Sequence, residues 1–170
     1  MEMIQLCGIV FSVLFGELLR FAYIKSNKNA LAGVFTSVNG SIWEQLKLPA
    51  IPMLFYAVFE YFIYGSEIDN FFPVRAASIL VAMAATAAVC FILRFIPAKT
   101  TRAADLASFI LGVTAGYVFS YEMFGRHIFI SGNAHSAGIA ALACIMLLFT
   151  VFTFCRPDAA IFKDHRGDRR

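Results

Sequence analysis

Two carboxylates, Glu17 and Glu60, stand inside long apolar stretches of this 170-residue chain. A charge at bilayer depth is costly unless it is paired or wetted, so each residue needs either a partner or a use. Glu17 is followed three residues later by Arg20, on the same helical face. The plainer reading is mutual neutralisation, with Arg20 snorkelling towards the nearer surface. The functional reading is a polar cavity facing the interior of a bundle, which Gly16 would help by letting a neighbouring helix approach. Glu60 has Tyr56 and Tyr64 one turn away on either side. A phenol hydrogen bond to a buried carboxyl is the plain reading there, and a proton or cation site the functional one. A channel or carrier built on both carboxylates requires that they face one cavity.

A third group of chemically capable residues lies at 38–48, which holds the only Trp, Trp43. Ser41 followed by Glu44 is a capping box: the hydroxyl accepts from an amide of the first turn, and the carboxylate reaches back to the Ser41 amide. A helix therefore begins near Ile42. Pro49 and Pro52 lack amide donors and push it to bend. The expected geometry is a short interfacial start, Ile42 to Leu48, with Trp43 at headgroup level, leading into a bent span.

The elements that must position these residues follow from composition. With 60% hydrophobic residues, 15% charged and 19 Phe, the chain is too apolar for a soluble domain of its size. It reads as an all-α integral membrane helix bundle, a single polytopic domain with five transmembrane helices at about 3–23, 46–64, 74–96, 106–123 and 137–154 and a charged tail, 155–170. The first run carries Glu2 and no small-residue cleavage site, so it reads as a retained span and not as a signal peptide. The connection 25–36 is polar, and 65–72 is a short acidic loop ended by Pro73. The third span is rich in Ala and Thr from Ala82 to Ala88, which predicts a place at the bundle centre. Arg94, near its end, is expected to snorkel. The fourth span carries Tyr117, Ser120 and Tyr121 towards its end.

Charge sets the orientation. Five spans gather twelve of the fourteen Lys and Arg residues on one side with its adjoining helix ends, leaving Arg75 and Arg126 on the other. The positive-inside rule then predicts a multi-pass cell-membrane protein with its N-terminus outside and its C-terminus cytoplasmic. The net charge of +3 belongs to those loops, so the expected partner is the lipid bilayer and not nucleic acid. Cys7, Cys90, Cys144 and Cys155 have no metal-like spacing and read as small buried hydrophobes. His127 and His135 fall in an outer loop and His165 in the tail, so they cannot form one site. No nucleophile, phosphate-loop or zinc motif occurs, and no cofactor, metal or catalytic residue is expected.

The stretch Asn39-Gly40-Ser41-Ile42-Trp43-Glu44-Gln45-Leu46-Lys47-Leu48 resembles the signature Asn-Glu-Ser-x-Trp-Glu-His-x-Lys-Leu of a family of small bacterial and archaeal membrane proteins known as domain of unknown function 6512. The tail Pro157-Asp158-Ala159-Ala160-Ile161-Phe162-Lys163-Asp164 resembles that family's closing Pro-His-Ile-Pro-Leu-Phe-Lys-Asp. Gly16 to Phe21 and Glu60 to Phe62 also fit. The resemblance brings no activity. Where the family usually shows Glu, His, a first-helix His and a tail His, this chain has Gly40, Gln45, Arg20 and Asp158.

The resemblance implies a family site at the cytoplasmic face, formed by the first helix end, the capped helix and the tail. Its residues in this chain are Arg20, Asn39, Ser41, Trp43, Glu44, Lys47, Asp158, Lys163 and Asp164. Arg, Gly and Gln are poor metal ligands, so a salt-bridged cluster is expected here, with Arg20 paired to Glu44 or Asp158. Three functions fit. One is a non-enzymatic membrane module, working as a homo-oligomer or with a membrane partner protein. The second is a small-solute or proton channel or carrier using Glu17 and Glu60. The third is a lipid-headgroup or polyprenyl-phosphate enzyme with a degenerate site, in which Lys47, Lys163 and Arg20 bind phosphate and Glu44 acts as base.

Overall fold

The computed structural model describes residues 2–25, 30–35, 41–95, 102–126, 128, 132–155, 157–158 and 162, and every regular element among them is helical. Five helices are long and apolar enough to cross a membrane: α1 (Glu2–Lys25), α3 (Ile42–Ile63), α4 (Phe71–Phe95), α5 (Arg102–Phe124) and α6 (Ala134–Phe154). At 1.5 Å per residue they run about 31 to 38 Å, enough for a hydrocarbon core of about 30 Å. A long helix lies at each of the five expected positions, most of them longer than expected by up to a turn at an end. The connection expected to be merely polar contains a further short helix, α2 (Ala30–Phe35), whose Gly33 and Val34 are buried.

Successive spans run antiparallel. Gln5 near the start of α1 meets Glu60 near the end of α3, Gly138 near the start of α6 meets Pro73 near the start of α4, and Arg102 at the start of α5 lies by Glu17. The bundle thus has a Ser41 end and a Gly65 end.

The expected helical start of the second long helix, Ile42 to Leu48, is present. It forms the first turns of one helix that runs through Pro49 and Pro52 to Ile63, with Glu44, Gln45, Lys47 and Leu48 buried. α3 is the most covered of the long helices, with 56% of its apolar window buried against 28% for α4, while α4, expected at the bundle centre, packs on α3, α5 and α6. The small residues of α4 serve one close contact. Ser78, Ala82 and Thr86 face Gly112 and Gly116 of α5, where a Cβ would come within 2.8 Å of the Ala82 carbonyl oxygen and 2.7 Å of the Ser78 carbonyl oxygen. Backbones can approach that closely only where one side lacks a side chain.

On α1 the inward positions are Gln5, Gly8, Ser12 and Gly16, a stripe at three- and four-residue steps. The glycines admit aromatic rings, Tyr56 and Tyr117 at Gly8 and Phe109 at Gly16. α6 buries only Gly138, Ile145 and Phe149. Between it and α3 lies an apolar cleft of about 360 Å³ lined by Leu54, Val58, Leu142 and Met146 among others. The cysteines are free thiols, but Cys7 and Cys144 are exposed on outward helix faces, Cys155 is exposed just past the end of α6, and only Cys90 is partly covered. An outward face in a bilayer meets lipid, which a thiol tolerates as well as a core does.

Candidate functional site

The chain places a buried charge pair at each end of the bundle. At the Gly65 end, Arg75 of α4 forms an ion pair with Glu60 of α3, and both are fully buried. Arg75 Nη2 also donates to the Gln5 side-chain oxygen (3.2 Å) and the Tyr64 hydroxyl (3.1 Å), and Nη1 donates to Ser120 Oγ (3.2 Å). Glu60 Oε1 additionally accepts from the Tyr64 hydroxyl at 2.8 Å and from Gln5 Nε2 at 3.4 Å. Ser120 Oγ closes the ring by donating to Gln5 Oε1 at 3.0 Å. The guanidinium carbon lies over three aromatic rings, 5.1 Å from Phe124, 5.2 Å from Tyr117 and 5.9 Å from Phe71.

The network therefore unites α1, α3, α4 and α5. Arginine suits it because its rigid fork of donors reaches several acceptors while its flat face stacks on rings. Glu60 Oε2 and Arg75 Nε have no hydrogen-bond partner among the described residues, so the pair is strongly held on one side only. Chemically the arrangement holds one charge against another inside the bundle.

At the Ser41 end, the N-cap half of the capping box forms, with the Glu44 amide donating to Ser41 Oγ at 3.3 Å. The Glu44 carboxylate turns to Lys47, whose ammonium lies 3.1 and 3.0 Å from its two oxygens. Lys47 Nζ also donates to the Gly33 carbonyl (3.1 Å) and to Thr153 Oγ1 (2.7 Å). A carboxylate, a carbonyl and a hydroxyl thus meet the three N–H bonds of an ammonium. One side chain ties α3 to α2 and α6. Trp43 is half-buried. Its ring packs against Phe149, Phe152 and the tail's Phe162, with centroids 5.4, 5.1 and 5.2 Å away.

The structure thus brings together Ser41, Trp43, Glu44 and Lys47, and the tail reaches them through Phe162. Arg20 does not join them: its partner is Glu17 at 3.3 Å, as the mutual-neutralisation reading expected, and not the Glu44 or Asp158 of the family-site reading, and Arg102 approaches the same carboxylate at 3.8 Å. Asp158 is exposed. Asn39, Lys163 and Asp164 lie outside the described residues, as do Arg94's side chain, His127 and His165. His135 sits edge-on to Phe72, with ring centroids 4.7 Å apart.

Glu17 and Glu60 do not share a cavity. Glu60 is level with Gln5, and the twelve residues from Gln5 to Glu17 span about 18 Å of α1. The tyrosine expectation for Glu60 holds for Tyr64. Tyr56 instead donates to the Ile4 carbonyl at 2.9 Å. Sequence reasoning missed Arg75, Gln5 and Ser120 as partners of Glu60. The stripe at residues 5, 8, 12 and 16 was the available signal for Gln5.

An all-helical bundle with five helices long and apolar enough to span a bilayer, pinned by buried ion pairs near both ends, suggests a polytopic membrane protein. Residues 1–169 match the family of unknown function DUF6512, and the chain belongs to that family. The motifs at 39–48 and 157–164 had pointed to it. No curated protein and no solved structure matches the chain.

Proposed function

We propose that this protein is a non-enzymatic module of the cell membrane, with its N-terminus outside and the Ser41 end, with the C-terminus, in the cytoplasm. The polar cluster at that end fastens α2 and α6 to α3 and shapes the cytoplasmic face, which meets a membrane partner protein or a second copy. The observation that carries this reading is the mutual occupation of Glu44 and Lys47. These are the residues a headgroup enzyme would use as base and phosphate binder, and they are 1% and 0% exposed and bonded to each other. The separation of Glu17 from Glu60 argues likewise against one conduction path through both carboxylates.

Proteoliposomes test the reading in two ways. An amine-reactive label is expected to modify exposed Lys25 and to spare Lys47, and the vesicles are expected to show no proton or small-solute flux above protein-free controls. A readily labelled Lys47 that polyprenyl phosphate protects would favour the enzyme. Flux abolished by Glu60→Gln would favour the channel.

A further inference from the structure

A groove of about 270 Å³ opens sideways between α1 and α5 at the Gly65 end. Its walls are Leu6, Ile9 and Val118, and Tyr117 lies on its inner side. Gln5 also lines it, with its amide engaged by Glu60, Arg75 and Ser120, and at the mouth the Tyr121 hydroxyl donates to Glu2 Oε1 at 2.7 Å. From Glu2 to Ile9 the groove follows α1 for about 10 Å, the outer third of a hydrocarbon core. A cleft of that depth between two spans is filled from the bilayer, by a lipid chain entering from the side. The head of that lipid must then lie against the mouth.

We propose that this groove is a binding site for one aminophospholipid, whose acyl chain lies along Leu6, Ile9 and Val118 and whose primary ammonium meets Glu2 and the ring of Tyr121. The charge at the mouth selects this head. Glu2 is an exposed carboxylate, and Glu122, next in sequence to Tyr121, is already paired with Arg126 at 3.6 Å. Among the described residues the mouth therefore carries one carboxylate with no basic partner, beside an aromatic ring that is 39% exposed. A carboxylate and a tyrosine ring side by side are the pair of groups that attracts an alkylammonium, the ring through its negative face. The Tyr121 hydroxyl occupies only one of the carboxylate oxygens, so a head that brings N–H donors gains more than a quaternary one. An anionic head is repelled.

The test uses the whole protein in bilayers of equal parts phosphatidylethanolamine, phosphatidylcholine and phosphatidylglycerol, followed by gentle detergent release and native mass spectrometry of the retained lipid. The ethanolamine lipid is expected to be enriched about fivefold over each competitor. Glu2→Gln is expected to bring that ratio down to about one, while Glu67→Gln, an exposed carboxylate on the same end but off the groove, leaves it unchanged. Val118→Trp, which fills the groove, is expected to lower retention of all three lipids. Retention in bulk proportions by the wild-type chain overturns the proposal, and so do a preference for the glycerol lipid and an ethanolamine preference that survives Glu2→Gln. None of these results bears on whether Lys47 is reachable, so this site and the module reading stand or fall separately.

Discussion

Removing one member of a buried ion pair leaves an uncompensated charge in a low-dielectric interior, whereas removing both leaves only a packing defect. Arg75→Met and Glu60→Met are each expected to lower stability by about 3–5 kcal/mol. The double variant should lose less than the sum of the two, a coupling that a double-mutant cycle of detergent unfolding midpoints measures directly. The same pattern is expected at Lys47 and Glu44. Simple additivity at either site would mean that the pair does not form. Part of this was readable at the residue scale. Glu60 with a tyrosine four positions on, and Glu17 with an arginine three positions on, are helical neighbours by spacing alone. Arg75 was not readable because its partner lies across a turn on another helix. A lone arginine near a span end counts the same in a charge tally whether it faces water or a buried carboxylate.

At the level of elements, glycines decide where helices touch. A Cβ at Gly138 would run into the backbone of Phe72 and Pro73, atoms that cannot rotate away, whereas one at Gly125 meets nothing within 4 Å. Gly138→Ala is therefore expected to cost about 1–3 kcal/mol and to loosen α6, read as faster proteolysis of the sixth helix. Gly125→Ala should be neutral in the same assay. Apolar length located the five spans because a bilayer imposes one thickness on all of them. It did not locate α2, whose six residues are too few to show a period. The small residues of α4 were legible as a packing face and not as a measure of burial. Small residues mark how closely one face packs, not how much of a helix is covered. The polar start of α3 looked wet, yet Glu44 and Lys47 satisfy each other inside the protein.

For the whole molecule, the uneven distribution of basic residues remains the best guide to orientation. A tag after Arg170 is expected to be protected from protease in intact cells, with an epitope inserted at Ser66 accessible from outside. The reverse pattern would invert the arrangement. Hydropathy could supply the five helices long and apolar enough to cross a membrane because it acts one residue at a time. The two networks depend on which helices become neighbours, which a single sequence encodes only through weak signals such as the small and polar stripe of α1.

The sixth helix has a narrow seam, one or two inward residues in each stretch of its length, with an apolar cleft behind it. Such a span shares little surface with its companions, so as heat or detergent loosens the bundle it should peel away first, before the other four crossings separate. Thr153 would then leave Lys47 short of an acceptor, and that one unmet ammonium carries the damage back into the centre of the fold.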